Sequence, residues 1–319
     1  MKSVTPQVLE SWHDSTGSVG WGISFMIAGT MIVPVMDAIA KFLGDSMAPV
    51  QISWGRFLFQ FIFMAMAIIP LQGVKALWPK RPLIHVVRGI LLAIATTFFF
   101  FSLLYLPLAN AIAIFFVQPM ILTLLSAVFL GERIGWHRKA AVIGGFLGAL
   151  LIIKPGTDSF TMAALLPMCA AGFFSAYLVI TRSVAKVDHP LVMQFASGVG
   201  ATLFLSLLLL LGMGSDLPQW TPSTPDLAQW AWLAAIGMIA AVGHLLVVIA
   251  VNRAPTSLLA PFGYVEIIAA TLLGWLVFGD WPDHLSWVGI AVIVISGLYV
   301  FMREQRQVRQ EAGLLTDSH

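Results

Sequence analysis

Nearly every long segment of this chain is an uninterrupted apolar run exceeding the roughly 18 residues that carry an α-helix across a bilayer. In hydrocarbon no water is present to bond backbone N–H and C=O groups, so only helices and closed barrels can span it. A barrel would show strands of about ten residues with alternating polarity, and these runs do not alternate. Composition agrees: 59% of the 319 residues are apolar and 10% charged, whereas soluble domains carry about 25% charged residues. The chain reads as an all-α integral membrane protein.

Ten runs can be counted, at about 21–41, 50–70, 83–104, 108–130, 138–154, 161–181, 190–212, 229–250, 256–278 and 285–302. An even number puts both termini on one side, and the basic residues choose the side. With the N-terminus inside, fourteen of the 17 Lys and Arg residues fall inside: Lys2, Lys75, Lys80, Arg81, Arg88, Arg133, Arg138, Lys139, Arg182, Lys186, Arg253, Arg303, Arg306 and Arg309. Lys154 lies in an outer connection, and Lys41 and Arg56 lie at or within helix ends. Such an excess sets an N-in, C-in orientation. The first twenty residues are polar and contain no cleavable signal, so the first span directs insertion. The single cysteine, Cys169, excludes an internal disulfide and is expected to be a small packing residue. Trp21, Trp78, Trp136, Trp230, Trp232, Trp281 and Trp287 sit near run ends, as interfacial anchors do.

The chain also repeats itself. Shifted by 148 positions, Pro107 meets Pro255, Thr123-Leu124-Leu125 meets Thr271-Leu272-Leu273, and Gly131-Glu132 meets Gly279-Asp280. Shifted by 141, Lys41 meets Arg182 and Pro49 meets Pro190. Since the first five spans start inside and the second five outside, the halves are inverted repeats. The expected organisation is a cytoplasmic segment over 1–20, five spans over 21–155, five over 156–302, and a charged, frayed cytoplasmic tail over 303–319.

Ten helices in two inverted halves, each closing on a Gly-acid turn (Gly131-Glu132, Gly279-Asp280) and a glycine-bearing last helix (Gly144, Gly145, Gly148; Gly289, Gly297), resemble the EamA-domain transporters of the drug/metabolite transporter superfamily. The resemblance covers about residues 21–302. It implies transport of a small molecule, with cargo in such proteins ranging over amino acids, nucleosides, vitamins, sugars and toxic compounds. Pro119 and Pro261 are placed differently in the two halves, and Glu266 stands where the first half has Gln118.

Glu266 is the sharpest chemical signal. It lies about eleven residues into its run, roughly 16 Å deep at about 1.5 Å per residue, near the midplane. A carboxyl there costs about 2.5–3.5 kcal/mol even on lenient scales and faces a cavity or a partner. It either makes a structural hydrogen bond or binds a cation or proton. By the 148 offset Gln118 and Glu266 face one another across the pseudo-axis, with Phe116 and Tyr264 as aromatic neighbours and Asn110 and Thr123 along the same fourth span. Asp37 and Lys41 stand four apart on one helix face and are expected to pair. Arg56 can join them, as a clip between helices or as a substrate gate. His244 is a lone midmembrane imidazole, either a satisfied packing group or a proton carrier.

No HExxH, GxSxG or Walker motif occurs, so neither catalysis nor direct use of ATP is indicated. No metal, cofactor or nucleic-acid partner is expected. The sequence points to a secondary transporter of a small metabolite in the cell inner membrane, as monomer or homodimer, with protons as the coupling ion. Export of an amino-acid-like or drug-like compound is the first expectation. The alternatives are uptake of a vitamin, nucleoside or S-adenosylmethionine-like cofactor and, more distantly, a membrane-embedded lipid enzyme. Reporter fusions after Arg138 and at the C-terminus should report the cytoplasm and one after Gln219 the outside; a C-terminal fusion reporting outside contradicts the inverted repeat.

Overall fold

The computed structural model describes the backbone of residues 6–130, 135–157, 161–184, 187–213, 221–254 and 256–316. It is built of helices α1 (Pro6–Gly44), α2 (Pro49–Gln72), α3 (Pro82–Leu103), α4 (Leu108–Phe115), α5 (Gln118–Leu130), α6 (Trp136–Ile153), α7 (Leu166–Val184), α8 (Pro190–Gly212), α9 (Leu227–Arg253), α10 (Thr256–Gly263), α11 (Val265–Phe278) and α12 (His284–Thr316). Nine segments among the described residues are long and apolar enough to cross a membrane, and Lys139–Ile153 is a shorter apolar helix. Taken with it, the segments match the ten runs, with α4 and α5 sharing the fourth span and α10 and α11 the ninth.

Local chemistry sets the helix ends. Pro49, Pro82 and Pro190 open α2, α3 and α8, where a missing N–H removes no hydrogen bond. Asp226 and Gln229 form a reciprocal capping box on α9, with the Gln229 N–H donating to Asp226 Oδ1 at 2.7 Å. Gly279 closes α11 in the left-handed region at φ 70°, which glycine adopts without a Cβ penalty. The turn brings the Asp280 N–H back to the Gly274 carbonyl at 3.0 Å. Its first-half counterpart, Gly131-Glu132, lies outside the described residues.

At the C-terminal end α12 is continuous to Thr316, through Arg303–Ala312, which is rich in strong helix formers and lacks glycine and proline. At the other end α1 begins at Pro6, well before the apolar run. Cys169 is exposed on the surface of α7 and is no core packing residue.

The packing carries the pseudo-twofold in its pairings. α1 lies on α9, and its mate is α7 on α3; α2 on α9 is mirrored by α8 on α3, and α1 on α11 by α7 on α5. Two pairs map onto themselves, α2 with α8 and α6 with α12, and the fourth and ninth spans meet through α4 and α11. The principal contacts therefore run between the halves, so the repeats interlock. α6 and α12 meet through small residues, and a Cβ on Gly148 would come within 2.9 Å of the Gly289 carbonyl and 2.8 Å of Ile293. This is the small-xxx-small face of Gly144 and Gly148, used within the chain to bring two backbones together.

Gly148→Leu should therefore lower the melting temperature of the detergent-solubilised protein, at about 1–3 kcal/mol of overpacking. Gly172→Ala, where an added Cβ meets nothing within 4 Å, should leave it unchanged or raised; equal losses in both would show that the α6–α12 approach is not tight.

Candidate functional site

The fourth and ninth spans break at equivalent residues. α4 ends in a turn at Phe116-Val117 and α5 starts at Gln118; α10 ends at Gly263, and α11 starts after Tyr264. Pro119 cannot donate a backbone hydrogen bond and restricts the residue before it, while Pro261 precedes its break by three positions and Gly263 adds its own weakness. Differently placed prolines thus produce the same register. The breaks touch each other: the rings of Phe116 and Tyr264 lie 5.0 Å apart.

Two residues beyond Tyr264, Glu266 belongs to a series of electrostatic contacts that links most of the ionisable groups the sequence singled out. Asp37 on α1 and Arg56 on α2 are each 3% exposed and within electrostatic reach of one another. Glu266, in the first turn of α11, senses the Asp37 carboxyl, and His244 on α9 senses Arg56. Glu266 shares its helix face with the buried Ala270 and Gly274, whereas Ile268, Leu272, Trp275 and Leu276 form the exposed face of α11. It faces the protein interior, at the positive end of a half-helix.

The hydrogen bonds divide these groups. Arg56 Nη1 donates to Thr96 Oγ1 at 2.8 Å, its guanidinium lies 4.4 Å from the Phe57 ring centroid, and its Nε has no partner. His244 Nδ1–H donates to the Ala240 carbonyl at 2.6 Å, because a carbonyl can only accept. Among the described residues no hydrogen bond reaches either the Asp37 or the Glu266 carboxyl. Asp37 has the Arg56 guanidinium in electrostatic reach, whereas the charge that Glu266 senses is the Asp37 carboxyl. The acid left without a cation must be balanced by a proton or by a positive group on a ligand, since an uncompensated charge in a low-dielectric interior is expensive.

Some expected contacts are not formed. Lys41 does not pair with Asp37; its Nζ donates to Asp280 at 2.5 Å and to the Leu106 carbonyl at 3.0 Å. Gln118 and Glu266 occupy equivalent half-helix starts without a hydrogen bond between them, and the Gln118 carbonyl accepts from Ser175 Oγ at 3.1 Å. Asn110 donates to Ser286 at 3.2 Å, and Thr123 returns its hydroxyl to the Pro119 carbonyl at 2.9 Å, so both serve packing. Outside the hydrocarbon, Lys154 pairs with Asp283, whose carboxyl that contact and the Ser286 N–H hold below its usual pKa.

Sequence reasoning missed Thr96 and Tyr177. Tyr177 is within electrostatic reach of Arg56 and joins an aromatic series, 5.5 Å from Phe174, which is 5.5 Å from Phe115 beside the fourth-span break. A tyrosine four residues before the end of the sixth span was the available signal.

A helical bundle of two interlocked repeats, with a polar cluster where two broken spans meet, has the plan of a membrane carrier. The chain belongs to the EamA-like transporter family, which it matches over residues 20–154 and again over 161–302. It is 30% identical to a riboflavin transporter of Vibrio cholerae over 72% of this chain and 75% of that one. It is 26% identical to an S-adenosylmethionine uptake transporter of Rickettsia prowazekii, covering 90% and 94% of the two chains, and 28% identical to a pseudopaline exporter of Pseudomonas aeruginosa, covering 86% and 94%. A solved crystal structure with 20% identity superposes over 92% of this chain at a TM-score of 0.59, a likeness of fold alone. The protein is a multi-pass membrane transporter of a small metabolite, not an enzyme.

Gly297 provides a test of the aromatic contact, because a Cβ there would lie 1.7 Å from Tyr264 Oη. Gly297→Ala should displace Tyr264 and reduce transport by about tenfold or more while the protein stays folded, and adding Tyr264→Phe should recover part of the loss, a coupling of about 0.5–3 kcal/mol. Full transport in Gly297→Ala would remove Tyr264 from the site.

Proposed function

We propose that the protein is a proton-coupled secondary transporter that brings a small ring-bearing metabolite across the cell inner membrane by alternating access. The observation that supports this is the electrostatic series Glu266–Asp37–Arg56–His244, which starts two residues beyond Tyr264 at the ninth-span break. The Phe116 and Tyr264 rings provide stacking surface for a heterocycle, Arg56 suits a carboxylate, and the carboxyl in excess suits a cationic group or a proton. Two relatives carry riboflavin and S-adenosylmethionine in their names, which favours uptake of a heterocyclic compound over the export first expected; the similarity to a pseudopaline exporter supports export as the second reading. The halves over 21–155 and 156–302 would alternately open to each side, with both termini cytoplasmic and the chain a monomer or homodimer in its bilayer.

Purified protein in proteoliposomes, given riboflavin and S-adenosylmethionine as separate probes under an imposed proton gradient, tests the coupling. Glu266→Gln preserves side-chain size and removes the titratable group. It should abolish gradient-driven accumulation of the probe that the parent protein carries and leave the fold intact; loss of one structural hydrogen bond would cost only about 1 kcal/mol. A folded, monodisperse Glu266→Gln variant that still accumulates substrate uphill would move the coupling site to His244 or Asp37.

A further inference from the structure

A second polar cluster lies away from the central site, where the start of α3 meets α7 and α8. Asp188, in the connection between α7 and α8, accepts from the Lys80 backbone N–H at 3.0 Å and pairs with His85 Nε2 at 3.0 Å. The other ring nitrogen, His85 Nδ1, stands 2.7 Å from Arg88 Nη1. Arg88 continues the series: Nε donates to Thr181 Oγ1 at 2.9 Å and Nη2 to Tyr177 Oη at 3.1 Å, with the Tyr177 ring centroid 5.0 Å from the guanidinium. His85 is 0% and Arg88 2% exposed, so the middle of the series is buried, while Asp188 at its end is half-buried. It joins the first half to the second on the face bearing the connections before α3 and α8.

The chemistry of this series fixes one protonation state. Arginine only donates, so His85 Nδ1 must accept, and its proton sits on Nε2, which donates to Asp188. A second proton has one place to go, Nδ1, where it would point at an N–H of Arg88 and set two buried cations side by side. The ion pair to Asp188 survives that step, while Arg88 Nη1 loses its shortest contact and is left with the Met193 carbonyl at 3.5 Å. Among the described residues the charged and titratable groups around His85 are Asp188 and Arg88, with Tyr177 beyond Arg88, Lys80 beside Asp188, and Arg81 one turn earlier on the entry to α3. None supplies an acceptor to replace Nδ1. Tyr177 is also the residue within electrostatic reach of central Arg56, so whatever moves Arg88 moves a group bordering the transport site.

We propose that His85 is a proton-binding positioning residue: a proton taken on Nδ1 expels Arg88 from beneath Tyr177 and opens this face of the transporter. The proposal rests on the alternating-access reading for the meaning of the opening, but its test uses no substrate, so failure of the flux assay and failure of the latch are distinguishable.

The test uses full-length protein in nanodiscs, with Cys169→Ser removing the one native thiol and Gln194→Cys placing a reporter one residue beyond Met193, whose carbonyl Arg88 approaches at 3.5 Å. Labelling by a membrane-impermeant maleimide is read as a ratio to free cysteine at the same pH. Lowering the pH from about 7.5 to about 5.5, the range where imidazoles titrate, should raise that ratio about tenfold. In the His85→Gln background the amide both accepts from Arg88 and donates to Asp188 but takes no proton, so labelling should stay low at both pH values. An Arg88→Gln background should label fast at both. A parent ratio that does not change with pH, or a His85→Gln ratio that changes equally, overturns the proposal. Should a variant fail to fold, nitrogen-15 histidine NMR of the parent decides independently: the neutral ring must carry its proton on Nε2, and a resting Nδ1–H tautomer would overturn the latch.

Discussion

A hydrocarbon layer gives a polypeptide no partner for its polar groups except itself, and the architecture follows from that constraint. Continuous helices satisfy their backbones internally, so breaks are tolerable only where protein or a cavity meets the freed groups. The chain breaks two of its spans, and both breaks are placed in the interior, against each other, at Phe116 and Tyr264. The same rule brings the ionisable side chains inward. Asp37 and Arg56 avoid lipid by burial and Glu266 by facing inward beside the ninth-span break, and the lipid-facing surface is left to residues such as Leu203, Leu207, Ile268 and Leu276.

The interlocking of the halves has a mechanical consequence. Since α1 lies on α9, α2 on α8, and α6 on α12, the repeats cannot swing as two separate bundles. Under the alternating-access reading proposed above, opening would instead loosen contacts between halves on one face at a time. The polar ties are distributed accordingly: Lys41–Asp280 and Lys154–Asp283 fasten one face, and Asp188–His85–Arg88 the opposite one. They differ in chemistry. The first pair of ties is built of lysine–carboxylate contacts, partly exposed and screened by water and salt, whereas the second contains a buried imidazole whose bonding pattern depends on a single proton.

Much of this was legible in the sequence because the bilayer imposes a length and a charge rule that a single chain displays openly. The ten spans, the 148-residue correspondence and the interior position of Glu266 could be read without coordinates. What could not be read required partners distant in the chain. The spacing of Asp37 and Lys41 was visible, but Asp280, which claims Lys41, comes from 239 residues away. Prolines at 119 and 261 announced weak points, yet the point of failure was set by Gly263 and by the aromatic contact across the axis. Arg88 looked like one more inside positive charge, and nothing local reveals that it is buried between His85 and Tyr177.

The central claim is that substrate and proton compete for one carboxyl-rich site where the broken spans meet. Calorimetry of the binding of S-adenosylmethionine, a cationic probe, to the purified protein, repeated in buffers of different ionisation enthalpy, counts the protons exchanged on binding. About one proton should be released per ligand bound by the parent protein, and none by the Glu266→Gln variant, because a carboxyl buried without a cation must hold a proton until the ligand replaces it. Binding that releases no proton, or the same release from parent and variant, would contradict a shared site at Glu266.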